Sequence, residues 1–98
     1  MKTIYKYCLE VTDKQIINVK KNSQFLTVGM SPEKELAIWF LVDSDEIDVE
    51  ITIYIVGDGN PMFPSTLAEA YYLGTVKQDC FMWHIFTQLS GLISTKPR

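Results

Sequence analysis

Strict alternation of apolar and polar positions over residues 49–56 (VEITIYIV) constrains the fold more than any other feature of this sequence. Every second residue from Val49 to Ile55 is β-branched and apolar, and Tyr54 is one of the residues between them. Because successive side chains of a strand point to opposite faces, this pattern predicts a half-buried strand with the Val49 side facing inward.

Six further segments combine β-branched and aromatic residues and are bounded by turn residues. They are residues 2–11, 15–20, 24–30, 36–42, 71–76 and 81–86. A spacing of about eight to twelve residues predicts a mostly β fold, a small antiparallel β-sandwich or barrel of about seven short strands. Ser65 and Thr66 are suited to cap one short helical turn, which is the most helix that we expect.

Residues 36–42 (LAIWFLV) are apolar at every position, so both faces of the predicted strand avoid water. Two interpretations fit this pattern. The segment is either a central strand covered on both sides within the chain, or a strand with one face covered by a partner chain.

A length of 98 residues suits one domain, predicted here as residues 1–88 followed by a flexible tail over residues 89–98. Apolar residues make up 47% of the chain, which supplies a core and argues against disorder. The predicted core is Leu9, Leu26, Val28, Ile38, Phe40, Val42, Ile51, Ile53, Ile55, Leu73, Val76, Trp83 and Ile85.

The formal net charge of −3 argues against a duplex nucleic-acid partner, which usually requires a basic stripe. Only Lys14, Lys20 and Lys21 form a small basic spot. No apolar run approaches the length of a membrane span, so we expect no membrane partner.

Cys8 and Cys80 are the two cysteines of the chain, and no secretory signal precedes them. We therefore expect a cytoplasmic protein with two free thiols, largely buried as small apolar groups. Two cysteines with a single histidine do not supply an ordinary structural zinc site, and no other metal or cofactor is expected.

The loop over residues 57–61 (GDGNP) allows two interpretations. Its glycines permit positive φ angles, so successive backbone N–H groups could form a nest for a phosphate or nucleotide. Alternatively, the glycines serve only the turn that leaves the strand, and Asp58 would repel a phosphate. The candidate ligand-binding residues are Tyr54, Gly57, Asp58, Gly59, Asn60 and Tyr71.

His84 is the one candidate for acid–base chemistry, and period two places it on the face of Met82 and Phe86. The linear sequence offers it no nucleophile or carboxylate partner, so we expect a half-buried histidine bonded to the backbone and no enzyme. The acidic residues 43–48 lack the EF-hand pattern and are interpreted as a solvated loop.

Five motifs in order resemble a family of small uncharacterised bacteriophage and prophage proteins. They are IYKY (residues 4–7), IW-x-LVD (38–43), a glycine-rich loop ending in Pro (57–61), YLGTV (72–76) and a WH-aromatic strand (83–86). The similarity spans residues 1 to about 86, with Asp58 in place of Thr and Cys8 in place of Pro. It implies a phage-encoded accessory protein in the host cytoplasm, and by association an inhibitor of host defence.

Seven large tyrosines and tryptophans are many for so small a domain, and those on outer faces favour a contact surface. We therefore predict a module that binds a host protein. The alternative is a small-ligand protein that sequesters a nucleotide signal at the 57–61 loop. The predicted edge strands contain few features, such as proline, that prevent pairing with another chain. We therefore also expect a symmetric homodimer.

Overall fold

The computed structural model describes residues 1–61 and 70–88, and these residues form seven β-strands. The strands are β1 (Lys2–Cys8), β2 (Lys14–Lys20), β3 (Gln24–Met30), β4 (Leu36–Asp43), β5 (Asp48–Gly57), β6 (Ala70–Gln78) and β7 (Phe81–Gln88). The predicted mostly β fold is confirmed. The helical turn predicted at Ser65 and the tail predicted over residues 89–98 lie outside the described residues.

Two antiparallel sheets form a β-sandwich, with strand orders β1-β4-β3 and β2-β5-β7-β6. β3 of the first sheet lies against β6 of the second. Among the described residues no helix is long and apolar enough to cross a membrane.

The alternation in β5 has the predicted orientation, since Ile51, Ile53 and Ile55 are buried between the sheets whereas Glu50 is exposed. Phe40 of β4 lies opposite them with both Tyr7 and Phe25 packed edge-to-face against its ring. The buried apolar core consists of Leu9, Val19, Leu36, Ile38, Phe40, Val42, Ile51, Ile53, Ile55, Val76 and Ile85.

β4 is the central strand of the three-stranded sheet, which explains its apolar pattern only in part. Its even-numbered residues from Leu36 to Val42 are buried against the second sheet. Trp39 and Leu41 point to the outer face, where both are half-buried. In the described part of the chain, the second sheet covers one face of β4.

Leu26 was predicted in the core, and this is wrong because its side chain is 37% exposed. The register of β3 against β4 shifts between Phe25 and Thr27, so Leu26 sits in the irregularity without a partner on β4. Val28, Leu73 and Trp83 are half-buried and pack against the core. Val19 and Leu36, which were missed, are fully buried.

Both cysteines are free, as predicted, but both are exposed, so the prediction of buried thiols is wrong. Cys8 pairs with Ala37 on the outer side of the first sheet, away from the core. Cys80 lies in the turn between β6 and β7, where the chain leaves the sheet.

The sheet edges carry more deterrents to pairing than the sequence suggested. Lysines occupy the two outermost positions of β2, Lys14 and Lys20, and β1 carries Lys2 and Lys6. The other two edge strands, β3 and β6, each contain a register shift. Lysines and bulges both discourage edge-to-edge association.

Candidate binding face

The geometry of the turn after β5 explains why both residues 57 and 59 of the predicted loop are glycines. Asn60 donates its backbone N–H to the carbonyl of Gly57, and Gly59 has a φ of 76°, which suits the third position of a type II turn. A Cβ atom on residue 57 would lie 3.0 Å from Cζ3 of Trp83. The glycines therefore have structural reasons to be there, and one N–H of the proposed nest is already used.

Asp58 projects from this turn to the outer face of the four-stranded sheet, where its Oδ1 accepts a hydrogen bond from Nε2 of His84. The side chain of Asp58 is 69% exposed and that of His84 is 32% exposed. The expectation that His84 bonds to the backbone is therefore wrong. Its partner is a carboxylate 26 residues away in sequence, which only the β5–β7 pairing brings near.

A chain of hydrogen bonds continues from the other ring nitrogen of His84. Nδ1 lies 2.9 Å from Oγ1 of Thr75, and Thr75 in turn bonds to the hydroxyl of Tyr72. We call this series, Tyr72–Thr75–His84–Asp58, the polar chain. It links β6, β7 and the turn after β5 along one outer surface.

Beside the polar chain runs a row of aromatic side chains that we call the aromatic face: Tyr54, Phe86 and Tyr72. Tyr54 pairs with Phe86 across β5 and β7, and Phe86 pairs with Tyr72 across β7 and β6, so all three point outward. The rings of Tyr72 and Phe86 have centroids 5.5 Å apart, and Tyr72 is 60% exposed. The sheet thus presents apolar rings next to hydrogen-bonding groups.

The predicted site residues divide between two places. Tyr54 shares the outer face with Asp58, while Gly57, Gly59 and Asn60 form the turn itself. Tyr71 pairs with Thr87, a fully buried residue, so it lies on the inner side of the sheet edge and at the far end of β7 from the turn. Their role in ligand binding stays a prediction.

Sequence reasoning did not include Tyr72 or Thr75 among the site residues, and for Tyr72 the cause is local. The register of β6 shifts between Tyr72 and Gly74, which turns Tyr72 outward although period two from the buried Val76 would place it inward. The face of His84 and Phe86 was predicted correctly. No group of three or more histidine, cysteine, aspartate or glutamate side chains among the described residues is arranged to hold a metal ion.

The sequence matches a known protein family over most of its length. Residues 1–92 match the family described as Domain of unknown function (DUF7352). The chain belongs to the DUF7352 family. The match includes every described strand of the DUF7352 domain, and therefore both the aromatic face and the polar chain. No curated protein and no solved structure matches the chain.

Proposed function

We propose that this DUF7352 domain is a binding protein that recognises a partner protein through the aromatic face, and that it is not an enzyme. The observation that carries the proposal is the placement of Tyr54 and Phe86 side by side on β5 and β7, with Tyr72 exposed beside them. Aromatic residues in a contiguous outward row are typical of the energetic centre of a protein interface.

The resemblance to bacteriophage and prophage proteins supports a more specific role. We propose a phage-encoded accessory protein that acts in the host cytoplasm and binds a host protein, as an inhibitor of a host defence. Many residues of the motifs that carry the resemblance are also structural in this fold, such as Gly57 beneath Trp83 and Ile38 in the core. The outward residues Tyr72 and His84 belong to the same motifs and lie outside the core, on the surface where recognition would occur.

Thr75, His84 and Asp58 have the connectivity of a nucleophile, a base and an orienting carboxylate. Binding remains the better interpretation because Asp58 is 69% exposed on an open sheet surface. Hydrolytic nucleophiles work in sites that are closed to bulk solvent and hold donors for the developing oxyanion. Recognition of a partner needs neither a closed site nor an oxyanion hole, and a hydrogen-bonded series beside aromatic rings is sufficient for it.

Affinity capture with matched surface variants tests the proposal. The face variant is Tyr54→Ser/Tyr72→Ser/Phe86→Ser, and the control variant is Val11→Ser/Ile47→Ser, two exposed apolar residues in the connections between strands. We expect wild type and control to retain the same bacterial protein and the face variant to lose it, with circular dichroism showing that all three are folded. Retention by the face variant would refute recognition through the aromatic face.

A nucleotide signal is the second candidate ligand, and the rings of Tyr54 and Phe86 favour it because bases stack on aromatic side chains. Asp58 opposes it by placing a negative charge at the turn where a phosphate would sit. A ligand at a hundred times its Kd should add about 2.7 kcal/mol of stability. A thermal-shift screen with mono-, di- and cyclic nucleotides that gives no rise in Tm would exclude this candidate.

We also propose that the protein forms a symmetric homodimer. With lysines or bulges at the described edges, the outer face of the three-stranded sheet is the surface that supports it, since Ile4 is 57% exposed beside Trp39 and Leu41. Ile16, at 58% exposed, occupies an equivalent position on the other sheet. Sedimentation equilibrium should give a dimer mass for wild type and Ile16→Glu but a monomer mass for Ile4→Glu; a monomer mass for wild type would reject the dimer.

A further inference from the structure

With Asp58 ionised and His84 neutral, the polar chain allows one arrangement of its protons. An ionised carboxylate only accepts hydrogen bonds, so Nε2 of His84 donates to Asp58. In the neutral imidazole Nδ1 is then the acceptor, and the hydroxyl of Thr75 must donate to it. Because that proton is committed, the hydroxyl of Tyr72 must donate to Thr75. Asp58 therefore determines the direction in which the Tyr72 hydroxyl, on a different strand, donates its hydrogen bond.

This direction of donation determines whether the exposed ends of the polar chain act as hydrogen-bond donors or acceptors. The proton of Tyr72 is used within the polar chain, so its phenolic oxygen offers acceptor sites only. Asp58 uses Oδ1 for His84, and Oδ2 is a second exposed acceptor that carries negative charge. The two ends of the polar chain thus offer acceptors and no donors, on either side of His84.

We propose that the aromatic face binds a cationic segment of the partner protein, with one arginine or lysine side chain donating to Tyr72 and a second donating to Asp58. The inference rests on the proposed function and specifies its partner. Guanidinium and ammonium groups have donors and no acceptors, which complements these oxygens. Aromatic rings attract cations through their quadrupole, and Tyr54, Tyr72 and Phe86 supply three of them.

Charge supports a cationic partner over an anionic one. The net charge of −3 attracts a basic segment and repels phosphate. Lys14 stands opposite Tyr54 at the β2 edge, and Lys77 stands opposite Met82 at the other end of the face. Lys14 and Lys77 are thus the resident cations with which an incoming arginine would compete.

The test uses a blocked pentapeptide that carries two arginines separated by one glycine, with its citrulline counterpart as the neutral control. Two-dimensional NMR of the full chain should show shifts for Tyr72, His84 and Phe86 on addition of the arginine peptide. At ~10 mM peptide, even a Kd of about 1 mM would be near saturation. No shift under these conditions would overturn the inference, as would equal affinity for the citrulline peptide.

Matched variants separate the hydrogen-bonding groups from general charge. Tyr72→Phe should weaken binding about tenfold, since a hydrogen bond to a charged group is lost, while Tyr71→Phe on the other side of the strand should not. Asp58→Asn should also weaken it about tenfold, and Asp45→Asn, with the same charge change in the β4–β5 connection, should not. Lys77→Gln should strengthen binding.

The same variants distinguish failure of this inference from failure of the proposed function. If capture of the partner depends on the aromatic face but is unaffected by Asp58→Asn, the partner is a protein and the cationic contact is wrong. If a nucleotide shifts the signals of the face and the arginine peptide does not, a ligand with phosphate replaces the cationic segment.

Discussion

Gly74 of β6 and Val28 of β3 set the distance between the two sheets along one side of the sandwich. A Cβ atom on residue 74 would lie 2.6 Å from Cγ2 of Val28, far inside the ~3.5–4 Å at which carbon atoms attract. Gly74 pairs with the buried Ile85, so its missing side chain would point into the core. The glycine is required both by the close approach of the opposite sheet and by its φ of 157°, which residues with a side chain rarely adopt.

Replacing Gly74 with Ala should therefore destabilise the protein by about 1–3 kcal/mol, the usual cost of overpacking. The double variant Gly74→Ala/Val28→Ala should cost less than the sum of the two single variants, because the second change makes room for the first. Urea denaturation of the four proteins measures this coupling. Strict additivity would show that the strain lies elsewhere.

Ile53 lies at the centre of the core with no exposed surface. Its replacement by Ala should lower the free energy of unfolding by about 2–5 kcal/mol, from lost burial and the cavity left behind. Ile16→Ala on the outer face is the control and should change it by about 0.5 kcal/mol or less. Chemical denaturation gives both values, and a loss below about 1 kcal/mol for Ile53→Ala would contradict its place in the core.

Cys8 should react slowly with iodoacetamide for an exposed thiol. The hydrogen bond to the Glu35 carboxylate raises the pKa of Cys8, and loss of hydration beside neighbouring atoms raises it further. Since the thiolate is the reactive form, Glu35→Gln should speed alkylation at neutral pH. Peptide mass spectrometry follows Cys8 with Cys80 as the internal reference. Glu50→Gln, on the other sheet, should leave the rate unchanged; equal rates in both variants would exclude the Glu35 contact.

Tyr7 should make stability decline at alkaline pH. Burial raises the pKa of the Tyr7 phenol, and the backbone N–H of Lys20 lowers it by a smaller amount. With a raised pKa in the folded state, the unfolded chain loses this proton first. The contribution of Tyr7 to the free energy of unfolding is therefore complete below the ordinary tyrosine pKa of about 10. It is lost as the pH rises through the pKa that Tyr7 has in the folded state.

Tyr7→Phe should flatten the decline in the free energy of unfolding between about pH 9.5 and 11, and Tyr5→Phe, which removes a more exposed hydroxyl, should not. Denaturation midpoints across this range provide the measurement. Identical pH profiles for wild type and Tyr7→Phe would mean that Tyr7 ionises equally in both states.

Fold prediction from this sequence succeeded where periodicity is regular and failed where a strand is irregular. The alternation around Ile53 placed that face inward, as the structure confirms. At Leu26 and Tyr72 a register shift interrupts or reverses the alternation. Gly74 marks the second shift, since an isolated glycine in a strand is typical of a bulge, whereas no residue marks the first. A bulge depends on the partner strand as much as on the bulged one, so a period-two argument on one strand misses it.

The sequence by itself determined that the described residues form about seven strands, that Ile53 faces inward in β5, that a glycine-rich turn ends β5, and that His84 and Phe86 share the outward face of β7. All of these follow from local geometry, in which side chains alternate and glycine tolerates positive φ. Only the tertiary structure decided that Asp58 meets His84 and that Thr75 and Tyr72 continue the series. Those contacts join residues on three separate segments, and only the order of strands in a sheet brings them within hydrogen-bonding distance.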